Sequence, residues 1–126
     1  MKELLDPLMD IKDENIEIIK ESANYVDLVL RYGHIALFSG ILEIDLEKAK
    51  KGFCLMGLEE INKIIDEAVE LNRKYDDNAF LKPQMIMENV YADFAILNRE
   101  IEDKYPYFNE KMMSFVKKYL SKKDNL

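Results

Sequence analysis

From Ile16 onward, apolar or small residues recur at positions 16, 19, 23, 26, 30, 33, 37 and 40, in alternating steps of three and four. That spacing is the seam of an amphipathic α-helix. With Asp13 as its N-cap and Gly40 as its stop, the first predicted helix covers residues 14–40 and is about 40 Å long at about 1.5 Å per residue. Asp45, followed by Leu46-Glu47-Lys48, reads as the cap of the next helix. This second helix carries Leu46, Ala49, Phe53, Gly57, Ile61, Ile64, Ala68, Leu71 and Tyr75, and Asp76-Asp77-Asn78 ends it by lowering helix propensity. Pro83 opens a third helix with a stripe at Ile86, Val90, Phe94, Leu97 and Ile101. Pro106 separates it from a fourth, which carries Phe108, Met112, Phe115 and Tyr119. A further short helix is expected around Pro7.

Four helices joined by short connections favour antiparallel neighbours, so the expected architecture is an all-α, up-and-down four-helix bundle. One domain, residues 1–126, accounts for the whole chain: there is no internal repeat, Ser/Gly/Pro-rich linker or low-complexity stretch. Four glycines and three prolines are too few for the frequent turns of a sandwich or barrel.

Composition narrows the function classes. Apolar residues at 48% and charged residues at 34% can build both a core and a solvated surface. A net charge of −7 disfavours nucleic-acid partners, because it raises the cost of approaching a phosphate backbone. The charge is uneven: residues 104–126 hold six lysines against Glu110 and Asp124, and the lysines at 117, 118, 122 and 123 read as a solvated basic tail. The charged start, Met-Lys-Glu-Leu-Leu-Asp-Pro, does not resemble a secretory leader, and no stretch of about 18 uncharged residues would cross a bilayer. The expected protein is soluble and cytoplasmic, without a membrane partner. A single cysteine, Cys54, and a single histidine, His34, leave no multi-ligand metal set, so no metal or other cofactor is expected.

Candidate chemistry is sparse. Asp27, Arg31, His34 and Phe38 fall at steps of four, three and four on the first predicted helix and would form a second stripe beside the seam. There Asp27 and Arg31 would pair while His34 titrates near neutrality, a proton-handling or anion-holding arrangement. The simpler reading is helix decoration beside a packed histidine. If the first hairpin turns near residue 43, Gly33 and His34 come level with Gly52 and Phe53, and the missing side chains could open a small ligand pocket lined by Gly33, His34, Gly52 and Met56. Close helix contact explains the same glycines without a ligand. Cys54, in the apolar run Gly52 to Leu58, reads as an inert core thiol. Tyr25, Tyr32, Tyr91, Tyr105, Tyr107 and Tyr119 lie at seam edges, where a ring is buried and its hydroxyl wetted; together with Met56, Met85, Met87, Met112 and Met113 they suggest a partner surface or a homodimer.

Two partial resemblances arise from these residues. Asp45-Leu46-Glu47-Lys48-Ala49, between two helices and ahead of Leu58-Glu59-Glu60-Ile61, resembles helical regulators of the phosphate-uptake PhoU type over about a third of the chain. That resemblance implies acidic Glu-x-x-x-Asp metal clusters, but Ile64 stands four residues after Glu60. Arg31 and His34 resemble the Arg/His pair of HEPN helical domains, which implies ribonuclease activity at a spacing of four to six residues; here two residues separate them. Neither resemblance assigns a family. The expected function is a non-enzymatic helical module that binds another protein or itself. The alternative is a small-ligand-binding regulator or enzyme using Asp27, Arg31, Gly33, His34, Gly52 and Met56.

Overall fold

The computed structural model describes residues 5–8, 10–38, 42–77 and 83–124. It is all-α, with no strand among the described residues, but its four α-helices are not the four predicted segments. A 3-10 turn, Asp6–Leu8, is followed by α1 (Glu14–Tyr32) and a 3-10 helix (His34–Phe38). Next come α2 (Leu46–Leu55), α3 (Glu59–Asp77) and α4 (Pro83–Asp124).

The starts fall where local chemistry puts them. Asp13 Oδ1 accepts the Ile16 N–H at 3.1 Å and Asp45 Oδ1 accepts the Lys48 N–H at 3.0 Å, each satisfying a donor that has no partner within its helix. Pro83 occupies the first position of α4, where its missing N–H costs nothing. The short helix expected around Pro7 is the 3-10 turn, which buries Leu8.

Two predicted helices break, and in both a glycine is the cause. The first does not run to residue 40; it ends at Tyr32, where Gly33 takes φ +80° and returns its N–H to the Val29 carbonyl at 2.9 Å. Gly40 lies outside the described residues. The second is interrupted after Leu55: Gly57 adopts φ +71°, its N–H reaches Cys54 O at 3.2 Å, and the Leu58 N–H reaches Phe53 O at 2.7 Å. These are the two hydrogen bonds of a Schellman cap, and Phe53 and Leu58, both fully buried, are its apolar pair.

Two other predicted helices merge, because α4 passes through Pro106 without ending. The proline leaves the Glu102 carbonyl without its helical partner, a loss that costs little on an exposed face, and Glu102 and Pro106 are both exposed. The buried stripe keeps its phase across the proline: Phe94, Leu97 and Ile101 on one side, Phe108, Met112 and Val116 on the other. The side chains of Tyr75, Met85, Ile86, Met87, Val90 and Tyr91 lie outside the described residues.

α1 packs most extensively on α2, α2 turns directly into α3, and α4 closes against α3, α1 and the 3-10 helix His34–Phe38. The core draws Ile16, Ile19, Tyr25 and Val26 from α1, Phe53 from α2, Ile61 and Ile65 from α3, and Ile101, Phe108 and Met112 from α4. Burying a side chain such as Phe53 contributes about 1.5–3 kcal/mol relative to leaving it in water. The lysine-rich end forms the last two turns of α4, with Lys117, Lys118 and Lys122 exposed to solvent. No helix among the described residues is long and apolar enough to cross a membrane.

Candidate functional site

The break at Gly33 redistributes the predicted stripe. Asp27 and Arg31 remain on α1 and pair across one turn, Arg31 Nε to Asp27 Oδ1 at 3.3 Å, with the arginine 63% exposed. A solvated pair of this kind stabilises little. His34 has left that face and is fully buried at the start of the 3-10 helix. Phe38 packs its ring on Phe94, centroids 6.0 Å apart.

Around His34 the structure assembles a polar cluster that the sequence reading did not contain. Asn98 Oδ1, from α4, accepts both the His34 backbone N–H at 2.8 Å and the ring Nδ1–H at 2.6 Å. With Nδ1 donating, Nε2 is left as the acceptor for the Tyr25 hydroxyl, 2.5 Å away. Tyr25 also packs edge-on against Phe53, centroids 5.8 Å apart. The expected wetted hydroxyl at Tyr25 is therefore wrong: both ring and hydroxyl are buried, because His34 supplies the acceptor that water would otherwise provide.

Burial governs the titration of both groups. Removal from water disfavours the imidazolium and lowers the His34 pKa from 6.5 to about 4, although the Asn98 hydrogen bond acts in the opposite direction. Burial, helped by the negative charge of Glu100, pushes the Tyr25 hydroxyl well above its ordinary value. At neutral pH the cluster is a chain of uncharged hydrogen bonds. Both ring nitrogens are occupied from within, so the cluster fixes a junction of three elements and offers no free base to a substrate.

The glycines are filled by their neighbours. A Cβ on Gly33 would meet Asn98 Nδ2 at 2.8 Å, and one on Gly52 would meet Ser22 Oγ at 1.9 Å and Ile18 O at 2.8 Å. Ser22 donates its hydroxyl to Ala49 O at 2.6 Å, so α1 and α2 touch backbone to backbone at this level. Met56 is buried at the end of α2. The structure thus brings Gly33 and His34 together with Asn98, and sets Gly52 against Ser22.

Cys54 is exposed, not buried as expected: Phe53 points inward, and the next helical position faces out. Its Sγ accepts from Asn62 Nδ2 at 3.2 Å, and the same nitrogen donates to Lys50 O at 3.1 Å. Among the described residues, no group of three or more His, Cys, Asp or Glu is placed to hold a metal ion.

An open, largely apolar groove lies between α3 and α4. Leu71, Ile96 and Leu97 line a cavity of about 640 Å³ whose rim carries Asp66, Glu67, Glu70 and Asp93, with Lys74 the single base among the described lining residues. Ile96 is 59% exposed there. Comparison with known proteins gives no matching family model, no matching curated protein and no matching solved structure, so the site is read from its own geometry.

Proposed function

We propose that the chain is a non-enzymatic protein-interaction module that offers the α3–α4 groove to an apolar, basic segment of a protein partner. The observation that carries this reading is the apolar groove of Leu71, Ile96 and Leu97 with its acidic rim, since apolar surface bordered by polar residues is a common docking site for partners. The buried histidine supports it from the other side: Asn98 and Tyr25 occupy both ring nitrogens, so the group serves packing. The lone exposed thiol of Cys54 fits a reducing, cytoplasmic setting.

Ile96→Lys is the test. Placing a charge in the groove should weaken binding to a purified partner at least tenfold, about 1.4 kcal/mol or more. The far-UV circular dichroism should not change, because Ile96 contributes nothing to the core. Unchanged affinity would remove the groove as the binding surface.

A further inference from the structure

We propose that the partner is a second copy of this chain, and that the two copies pair antiparallel along α4 about a two-fold axis at Tyr107. The proposal rests on the interaction-module reading and names its occupant. On α4 the residues facing the core are Phe94, Leu97, Ile101, Phe108, Met112 and Val116. The opposite side presents Ile96, Asp103, Tyr107, Glu110, Ser114 and Lys118, all exposed. At 3.6 residues per turn these six stay within about 40° of a single line along the helix. Ile96 and Tyr107 are 59% and 51% exposed, two large apolar groups on a stripe where solvent contact favours polar ones.

Charge fixes the direction. Before Tyr107 the outer surface of α4 carries Glu100, Glu102 and Asp103 against Arg99 and Lys104; after it come Lys117, Lys118 and Lys122 against Glu110. Lys111 is already engaged by Gly57 O at 2.9 Å and is not needed. A parallel copy would set like charges side by side, whereas an antiparallel copy sets the acidic half against the basic half. With the axis at Tyr107, residues equidistant from it face each other across the pair. Lys104 meets Glu110, Ile96 meets the aliphatic stem of Lys118, and Glu100 comes within a turn of Lys117 and Lys118. Tyr107 meets its own copy, as a self-complementary contact requires. The lysines cannot fold back onto the acidic half of their own chain, because Ile96 and Lys118 are held about 33 Å apart by one continuous helix.

A stripe about 33 Å long and one helix face wide buries less than the roughly 1,200 Å² of a stable interface, so the dimer is weak, reversible and salt-sensitive. Sedimentation velocity from about 10 μM to about 1 mM should show a monomer–dimer equilibrium that weakens about tenfold or more between roughly 50 mM and 500 mM salt. Lys117→Glu/Lys118→Glu and Glu100→Lys should each be monomeric alone and should dimerise when mixed. In a Cys54→Ser background, Tyr107→Cys should oxidise to a linked dimer. Ile96→Cys should not link to itself, but should link to Lys118→Cys. A monomer throughout, an association indifferent to the charge variants, or faster self-linking at Ile96→Cys than at Tyr107→Cys would overturn the pairing. A chain that stays monomeric yet binds another protein in an Ile96-dependent way overturns the self-pairing alone and leaves the interaction-module reading intact.

Discussion

Gly52→Ala should destabilise the protein by about 2–3 kcal/mol and lower its Tm by roughly 10 °C in a thermal melt. Intrinsic propensity predicts the opposite sign, because alanine is about 1 kcal/mol better than glycine inside a helix. Contact decides against it. The added methyl would sit 1.9 Å from Ser22 Oγ and 2.8 Å from Ile18 O. Ser22 can rotate away only by giving up its 2.6 Å hydrogen bond to Ala49 O, a loss of about 1 kcal/mol. The Ile18 oxygen is backbone and moves only with α1 itself. Adding Ser22→Ala should recover part of the loss and no more, since it removes the side-chain overlap and leaves the carbonyl one. A Gly52→Ala protein as stable as the parent would show that α1 and α2 do not approach this closely.

The second large effect is on pH. His34 titrates near 6.5 when the chain is unfolded and near 4 when it is folded. Between those values the unfolded chain binds the proton more readily, so stability falls as pH drops through the window and is fully present above it. The difference is worth about 3 kcal/mol at about 1.4 kcal/mol per pKa unit. Protonation would also put a second N–H opposite the Tyr25 hydroxyl, which now donates to Nε2. Denaturant unfolding from pH 7 to pH 4 should show this loss, and His34→Asn should flatten the slope. His34 is the only histidine, so its ring resonances report the midpoint without ambiguity. A midpoint near 6.5 in the folded protein would mean that the ring is solvated.

Features written in adjacent residues were legible in the sequence: the caps Asp13 and Asp45, the opening Pro83, and the seams that became the core. The breaks were written there too, in a less obvious form. Phe53 and Leu58 flank Gly57 at the spacing of a Schellman pair, and that pattern outweighs the apolar periodicity that carries on through it. Pro106 misled in the other direction. Ile101 and Phe108 are seven residues apart, two full helical turns, so the stripe never loses phase. Cys54 was misplaced because an apolar neighbourhood along the chain is not an apolar neighbourhood in space. Asn98 was the least accessible, since its partner lies 64 residues away. The only hint was an amide beside the Leu97–Ile101 seam, where its side chain had to find a hydrogen-bond partner.

α4 holds the fold in an unusual place. Its side chains reach the ends of other elements rather than their middles: Asn98 the first residue of the 3-10 helix, Lys111 the carbonyl of Gly57 beyond α2, and Tyr119 the Asp13 carboxylate that caps α1, at 2.8 Å. A splint of this kind closes loops of 64, 54 and 106 residues. The entropy of closing them is met only after the neighbouring helices have found one another. Loosening any of the three clasps should speed unfolding while leaving the refolding rate nearly unchanged.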